Sequence, residues 1–163
     1  MTRILGIAGW SGAGKTTLIE AMLPLLVSAG LTVSTIKHTH HGFDLDQPGK
    51  DSFRHRTAGA REVMLVGDRR FALTHEFGGD MPSVAALVAR LEPVDLVLIE
   101  GFRDHPIAKL EVHRPALGKP LLFPNDPGIV AVATDAALAD CKLPLFDLNL
   151  PAQIARWIIT VPV

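Results

Sequence analysis

A short glycine-rich segment near the N-terminus carries the most specific chemical pattern in the sequence. Residues 9–17 read GWSGAGKTT and match G-x-x-x-x-G-K-[ST], in which glycines let backbone N–H groups surround a phosphate. The lysine of this pattern reaches the β- and γ-phosphates of a nucleotide, and the following hydroxyl ligates Mg²⁺. We therefore predict a nucleotide-phosphate site in this loop. Its residues are Gly9, Gly12, Ala13, Gly14, Lys15, Thr16 and Thr17.

A carboxylate suited to Mg²⁺ closes the apolar run VDLVLIE at residues 94–100. Asp95 opens the run and Glu100 ends it, and at about 3.3 Å per strand residue they lie roughly 16 Å apart. Ligands bind at the carboxyl ends of parallel strands, so only Glu100 can lie beside the phosphate loop. We predict that Thr16 and Glu100 serve the metal, and that Lys15 and Glu100 are catalytic.

The stretch IKHTHHGFDLDQPGKDSFRHR, residues 36–56, combines histidines, aspartates and basic residues without a helical or strand period. It follows a predicted strand and leaves the sheet at the edge that carries the phosphate loop, so we predict a switch that faces nucleotide or substrate. Transition-metal binding and a plain solvated loop remain alternatives. Zinc needs three or four converging ligands, and the chain has no second cysteine to complete such a site.

The charges in this switch suit two kinds of ligand. Asp44, Asp46 and Asp51 suit Mg²⁺ or its waters, and we include Asp51 among the candidate catalytic residues. The basic residues suit a second phosphorylated ligand. The predicted switch residues are Lys37, His38, His40, His41, Asp44, Asp46, Lys50 and Arg54, with Arg56 as a further cation.

One late aspartate is a candidate for reading the base. Guanine-specific proteins with a phosphate loop usually carry Asn-Lys-x-Asp after a late strand, and AVATD places Asp135 there without the Asn and Lys. Its carboxylate can accept hydrogen bonds from N1–H and the amino group of guanine. An ordinary loop or N-cap residue is the alternative interpretation of Asp135.

Composition limits the class of protein. At 163 residues we expect a single domain over 1–163, and a net charge of −1 gives no global field for nucleic-acid or membrane binding. One cysteine fits a reducing compartment, and no run approaches the roughly 20 apolar residues of a membrane span, so we expect a cytoplasmic protein. A hydrophobic content of 48% favours an oligomer interface.

Strand-like and helix-like segments alternate along the chain. This order predicts an α/β protein, a phosphate-loop NTPase-like three-layer α/β/α fold with a mostly parallel sheet plus an antiparallel hairpin. The segment 107–114 alternates like an edge or half-buried strand. We expect Asp51 or Ser52 to cap the second helix, and Pro82 to lie in the first turn of the third. The predicted strands are 3–8, 31–37, 62–67, 70–76, 94–102, 107–114, 128–135 and 143–148, and the helices 15–30, 50–60, 82–91 and 151–159.

Three blocks together resemble a known family across nearly the whole chain. GWSGAGKTT, IKHTHHGFDLDQPGKDSFRHRTAGA and DLVLIEGFR are similar to the molybdopterin-guanine dinucleotide biosynthesis accessory protein B family, and the middle block is the specific part. The resemblance implies a homodimeric protein that binds GTP and Mg²⁺ and has weak GTPase activity. It implies assistance to the guanylyltransferase that joins GMP to molybdopterin, with molybdopterin or the recipient molybdoenzyme as further partners. Residues 37–51 would face nucleotide or pterin.

Two other functions fit parts of the sequence. SGAGKTT with a strand ending in IEG also resembles small-molecule kinases of the uridine-kinase type, and Arg54, Arg56 and Arg61 could imitate their arginine cluster. The histidines suggest a nickel-type metallochaperone GTPase. Such proteins generally pair the histidines with a nearby cysteine, and Cys141 is distant in sequence.

Overall fold

A computed structural model of the chain describes residues 2–39, 42–138 and 141–161. The strands are β1 Arg3–Ala8, β2 Val33–Lys37, β3 Glu62–Val66, β4 Phe71–His75, β5 Leu96–Glu100, β6 Lys109–His113, β7 Ile129–Thr134 and β8 Leu145–Asp147. The α-helices are α1 Lys15–Ser28, α2 Asp51–Thr57, α3 Val84–Val88 and α4 Pro151–Thr160, with short 3₁₀ turns at Pro115–Leu117 and Phe123–Asn125.

Six strands form one sheet in the order β2-β5-β1-β6-β7-β8, and every neighbouring pair is parallel. The loops that follow β1, β5, β6 and β7 therefore leave the sheet at the same edge. Strands β3 and β4 form a separate antiparallel pair in which Met64 lies opposite Leu73. The predicted fold class, a mostly parallel sheet with an antiparallel hairpin, is confirmed.

Helices α1 and α4 pack together over one face of the large sheet. Leu18, Met22 and Leu26 recur at every fourth position of α1, so all three point at the sheet and are almost fully buried. Burying each such side chain contributes about 1.5–3 kcal/mol relative to leaving it exposed. Gly30 has φ +91° just after α1, where a residue in the left-handed region ends a helix.

Strand β6 corrects one prediction. The segment was expected at an edge or half-buried, but β6 lies between β1 and β7 and all five residues are buried. Its polar face is satisfied by the loops that follow. Lys109 Nζ pairs with Asp126 Oδ2 at 2.7 Å, and the Glu111 carboxylate accepts backbone N–H bonds from Leu122 (2.7 Å) and Phe123 (2.9 Å). Both faces of β6 are therefore buried, and the charged face has polar partners instead of solvent.

Two helix starts also differ from prediction. Neither Asp51 nor Ser52 caps α2, since Lys50 occupies the N-cap position and no side-chain cap forms. Helix α3 is shorter than the predicted 82–91, and Pro82 precedes it rather than lying in its first turn. The Ser83 hydroxyl accepts the N–H of Ala86 at 3.2 Å, which provides the cap there.

The described residues fall into two compact units. One unit runs from the N-terminus to His38 and resumes at Val88, and it contains the large sheet with α1 and α4. The other extends from Thr39 to Leu87 and contains α2 and the β3–β4 hairpin. Within the described ranges, no helix has the length and apolarity needed to cross a bilayer.

Candidate functional site

The phosphate loop connects β1 to α1 in a conformation that glycine makes accessible. Gly9 passes so close to β6 that a Cβ on it would lie 2.4 Å from the carbonyl oxygen of Val112. Gly14 has φ +99° immediately before α1 begins at Lys15. The free N–H groups of the first turn of α1 therefore face the loop, where the helix dipole favours an anion.

Lys15 folds back into this loop. Its ammonium donates hydrogen bonds to the carbonyls of Gly9 at 2.9 Å and Trp10 at 3.0 Å. Burial lowers the pKa of Lys15 below the ordinary lysine value; the nearby Lys37 lowers the pKa further, while Glu100 raises it. Phosphate oxygens can replace these two carbonyls as hydrogen-bond acceptors of the Lys15 ammonium.

Thr16 and Glu100 lie side by side, as the metal-binding prediction requires. The Thr16 hydroxyl is 3.0 and 3.1 Å from the two carboxylate oxygens of Glu100, and Lys37 Nζ is 3.3 Å from Oε1. The sheet register explains this meeting, since Ile7 of β1 and Lys37 of β2 both lie opposite Glu100 of β5. A hydroxyl and a carboxylate are hard oxygen ligands of the kind that Mg²⁺ prefers.

Asp95 lies at the other end of β5 and has a structural environment. Its Oδ2 accepts hydrogen bonds from the backbone N–H of Thr32 at 2.7 Å and from the Thr32 hydroxyl at 2.6 Å. These hydrogen bonds lower the pKa of Asp95. Asp95 therefore fixes the amino end of β5 against the start of β2, away from the phosphate loop.

The turn after Glu100 is tightly built. Gly101 has φ +96°, and a Cβ on it would lie 2.9 Å from His38 Cβ. Phe102 also has a positive φ, +53°, although it is a bulky residue and is almost fully buried. Its ring contacts His38 and His105, with centroid distances of 4.5 and 4.8 Å. Such backbone strain costs about 1–3 kcal/mol and concentrates at functional sites.

The predicted switch residues divide between the two units. Lys37 ends β2 beside Glu100 and His38 follows it, and the His38 N–H donates to the Glu100 carbonyl at 2.8 Å. The predicted residues from Asp44 to Arg54 belong to the other unit. His40 and His41 lie outside the described residues. Among the residues that are described, no group of three or more His, Cys, Asp or Glu side chains is arranged to hold a metal ion.

Asp44 and Asp46 are both paired with Arg56. The Arg56 guanidinium is 2.5 Å from Asp44 Oδ2, 3.0 Å from Asp46 Oδ2 and 3.0 Å from Glu76 Oε1. The N–H of Asp46 and the Arg56 side chain lower the pKa of Asp44, and Asp44 is the largest cause of the raised pKa of Arg56. Arg56 was predicted to suit a phosphorylated ligand, but in the structure it neutralises the carboxylates of its own unit.

The remaining switch residues lie at the start of α2. Lys50 precedes the helix, and the strongly exposed Asp51 carboxylate lies 3.9 Å from Arg54 Nη1. Asp51 and Arg54 line a shallow pocket of about 480 Å³ together with His55, Thr57 and Ala58. The catalytic role suggested for Asp51 stays a prediction.

Asp135 follows β7 and is held by an arginine that the sequence analysis did not single out. Arg114 Nη1 donates to Asp135 Oδ2 at 2.5 Å, and Arg114 Nε donates to the Ala13 carbonyl in the phosphate loop at 3.1 Å. An arginine after a strand belongs to no motif, and its partners are 21 and 101 residues away. Asp135 also lines a pocket of about 340 Å³. The other lining residues are Thr134, Ala136, Ala137, Leu145, Phe146 and Asp147.

Trp10 gives the phosphate loop a second neighbour that the sequence did not reveal. Its indole N–H donates to the Pro120 carbonyl at 2.8 Å, and Arg103 and Lys119 lie 5.3 and 5.6 Å from its ring. The ring forms one wall of a cleft of about 850 Å³ that includes Arg103, His105 and Asn125. These contacts anchor the loop to the segment that follows β6.

Comparison with known proteins identifies the family. The model of the family described as molybdopterin guanine dinucleotide synthesis protein B matches residues 4–135. A molybdopterin-guanine dinucleotide biosynthesis adapter protein from Haemophilus influenzae is 42% identical over 158 residues, which cover 95% of this chain and 86% of that protein. The Escherichia coli protein of the same name is 36% identical over 163 residues, covering 98% of this chain and 93% of its own.

Solved structures agree with this assignment. A crystal structure of molybdopterin-guanine biosynthesis protein B is 25% identical, with a TM-score of 0.76, over 96% of this chain and 98% of that chain. The crystal structure of Bacillus subtilis MobB is 26% identical, with a TM-score of 0.73, over 97% and 96% of the two chains. The resemblance inferred from the three sequence blocks is confirmed. The chain belongs to the molybdopterin guanine dinucleotide synthesis protein B family.

Proposed function

We propose that this chain is a GTP-binding accessory protein that assists the conversion of molybdopterin to molybdopterin guanine dinucleotide. The observation that carries the proposal is a phosphate loop whose Thr16 hydroxyl contacts the Glu100 carboxylate at the carboxyl edge of a parallel sheet. The relatives named as adapter proteins of molybdopterin-guanine dinucleotide biosynthesis support it. Family membership also favours it over the kinase and nickel-chaperone alternatives.

The loop supplies the charge stabilisation for phosphate chemistry. Lys15 exchanges its carbonyl acceptors for β- and γ-phosphate oxygens, and the N–H groups at the start of α1 bind the same anion. Water then attacks the γ-phosphate while Lys15 neutralises charge on the leaving oxygen. We expect intrinsic hydrolysis to be weak and open to acceleration by a partner, because an arginine inserted in trans is typically worth about 10³–10⁵ in rate.

The residues beside the loop fit a magnesium ion. Thr16 and Glu100 are hard oxygen donors already in hydrogen-bond contact, and Glu100 is mostly shielded from solvent. We assign Mg²⁺ to this pair, with Glu100 acting directly or through water. A bound Mg²⁺ neutralises phosphate charge. Lys37 lies within 3.3 Å of Glu100 and offsets the carboxylate until nucleotide and metal arrive.

Base recognition falls to Asp135. Its carboxylate borders the small pocket between the ends of β7 and β8, on the same sheet edge as the phosphate loop. Guanine presents two donors, N1–H and the amino group, that match the two oxygens of a carboxylate. Adenine presents a lone pair at N1, which a carboxylate repels. The geometry therefore supports GTP over ATP.

We assign three kinds of partner to the protein. The first is a second copy, because Met64, Val66, Phe71 and Leu73 form an exposed apolar face of the β3–β4 hairpin. The second is the guanylyltransferase of the same biosynthetic step. The third is molybdopterin or the recipient molybdoenzyme. We place the protein in the cytoplasm, where its one thiol stays reduced.

Substitution of Lys15 tests the nucleotide site. We expect Lys15→Ala to weaken binding of a fluorescent GTP analogue by about a hundredfold or more, because the loop loses its charge-assisted donor. Lys142→Ala removes an equal charge from an exposed position outside the loop and serves as the matched control. If Lys15→Ala binds the analogue as tightly as the control does, the phosphate loop is not the nucleotide site that we propose.

A further inference from the structure

We propose that Arg114 is a positioning residue of the nucleotide site, which orients Asp135 toward guanine and ties base recognition to the phosphate loop. This inference rests on the proposed function, since it concerns the same nucleotide. It adds a residue that sets specificity and that lies outside every sequence motif of the site.

The sheet order places Arg114 between the two ends of a nucleotide site. Strand β6 lies between β1, which leads into the phosphate loop, and β7, which leads to Asp135. Arg114 is the first residue after β6 on the edge that these loops share. A side chain from this position can reach both neighbours, and that of Arg114 does so.

Arg114 makes one hydrogen bond to each neighbour. Nε donates to the carbonyl of Ala13 at 3.1 Å, and Nη1 donates to Asp135 Oδ2 at 2.5 Å. The guanidinium also lies against the backbone at Gly14, where a Cβ would come within 3.4 Å of Nε. A side chain on residue 14 would therefore crowd the arginine as well as require a strained backbone.

The chemistry of the guanidinium suits this double contact. Its N–H groups are fixed in one plane, so holding the Ala13 carbonyl with Nε sets where Nη1 points. Lysine has a single nitrogen at the end of a flexible chain and cannot fix two acceptors in this way. The orientation of Asp135 thus depends on the conformation of the phosphate loop.

Arg114 leaves Asp135 able to bind a base. The arginine engages Oδ2, and each carboxylate oxygen has two acceptor positions, so acceptors remain for both guanine donors. Without Arg114, the Asp135 carboxylate could turn beside its pocket, and it would lose its preference for one base over another.

On this proposal, Asp135 can recognise guanine without a preceding Asn and Lys. The cation that contacts the phosphate loop comes from the neighbouring strand, through Arg114, rather than from the residues just before Asp135.

The test is a set of competition titrations with GTP and ATP on the full chain. We expect Arg114→Gln to lower the ratio of the ATP to the GTP dissociation constant by about tenfold, as loss of an oriented hydrogen-bonding group does. Arg114→Lys should lower it as well, since lysine cannot hold both acceptors. Asp135→Ala should lower it at least as far, and the double variant Arg114→Gln/Asp135→Ala should match Asp135→Ala alone. Arg156→Gln, an exposed change of equal charge on α4, should keep the wild-type ratio.

Several results would overturn the inference. An unchanged ratio in both Arg114 variants, with GTP and ATP weakened equally, would mean that Arg114 only supports the loop. Additive effects of the Arg114 and Asp135 substitutions would mean that the two residues act separately. If the wild-type protein binds nucleotide through Lys15 but does not prefer GTP, then Asp135 does not recognise guanine and the inference fails. Nucleotide binding that does not depend on Lys15 would instead contradict the proposed function.

Discussion

Glu100 is the residue on which the site converges. The Thr16 hydroxyl and the Lys37 ammonium both contact its carboxylate, and Glu100 acts on the pKa of Lys15 as well. Two lysines and one carboxylate give the site a net positive charge before a nucleotide binds, which favours a polyphosphate anion. In the proposed function, this carboxylate supplies an oxygen ligand for the metal.

Asp44 gives a prediction of pH dependence. Its pKa is lowered in the folded protein, so its stabilising contribution is complete above the unfolded pKa of about 3.9 and is lost as the pH falls through the lower folded value. We expect Asp44→Asn to have a lower melting temperature than wild type at neutral pH. The difference should shrink as the pH drops below about 3.9, as thermal denaturation followed by circular dichroism would show.

Asp51→Asn is the control for this experiment, since Asp51 is more exposed and its contact to Arg54 is 3.9 Å long. That variant should melt close to wild type throughout. A difference for Asp44→Asn that stays constant down to strongly acidic pH would show that its pairing with Arg56 does not stabilise the fold.

Site residues could be predicted where they belong to a local sequence pattern, but not where their partners are distant in the sequence. The phosphate loop is a local pattern, and the placement of Glu100 follows from strand length, so both could be predicted from the sequence. Arg56 could not be recognised as the partner of Asp44 and Glu76, since charge type does not reveal which opposite charge lies nearest in the fold. Arg114 was missed because its partners are set by strand order alone.

At the scale of elements, β6 shows how an alternating pattern can mislead. Alternation of apolar and charged residues usually indicates one solvated face. Here the face with Lys109 and Glu111 is covered by the segment after β6, whose Asp126 and backbone N–H groups satisfy both charges. The partners lie in a proline-rich loop without periodicity, and no local pattern there predicts that this loop folds over the sheet.

The β3–β4 hairpin supplies a prediction about assembly. Val66 lies opposite Phe71, both are exposed, and both strands have a free edge among the described residues. We expect the double substitution Val66→Lys/Phe71→Lys to convert a dimer into a monomer, because two buried charges without partners would oppose the interface. Size-exclusion chromatography with light scattering measures the mass directly.

Asp68→Lys, in the turn of the same hairpin, adds a positive charge outside this apolar face and should remain dimeric. If the double variant keeps the mass of the wild type, or if the wild type is itself monomeric, the hairpin is not the dimer surface that we propose.

At the scale of the whole molecule, chemistry and apolar surface are divided between the two compact units. The phosphate loop, Glu100, Arg114 and Asp135 belong to the unit with the parallel sheet, whereas the exposed hairpin belongs to the other. A net charge of −1 leaves no long-range field, so nucleotide affinity must come from the loop itself. This division fits the proposed function, in which one unit would bind the nucleotide and the other would bind a protein.

Nucleotide preference and partner-dependent hydrolysis can be measured together in one experiment. GTP is titrated against ATP in the presence of Mg²⁺, and phosphate release is followed in the same sample with and without the purified guanylyltransferase. We expect a preference for GTP, slow phosphate release by the protein alone, and a changed rate when the guanylyltransferase is added. A preference for ATP would contradict the proposed function, and the next experiment would then be a screen of acceptor hydroxyls for kinase activity. Nucleotide binding and phosphate release that the guanylyltransferase leaves unchanged would also contradict it.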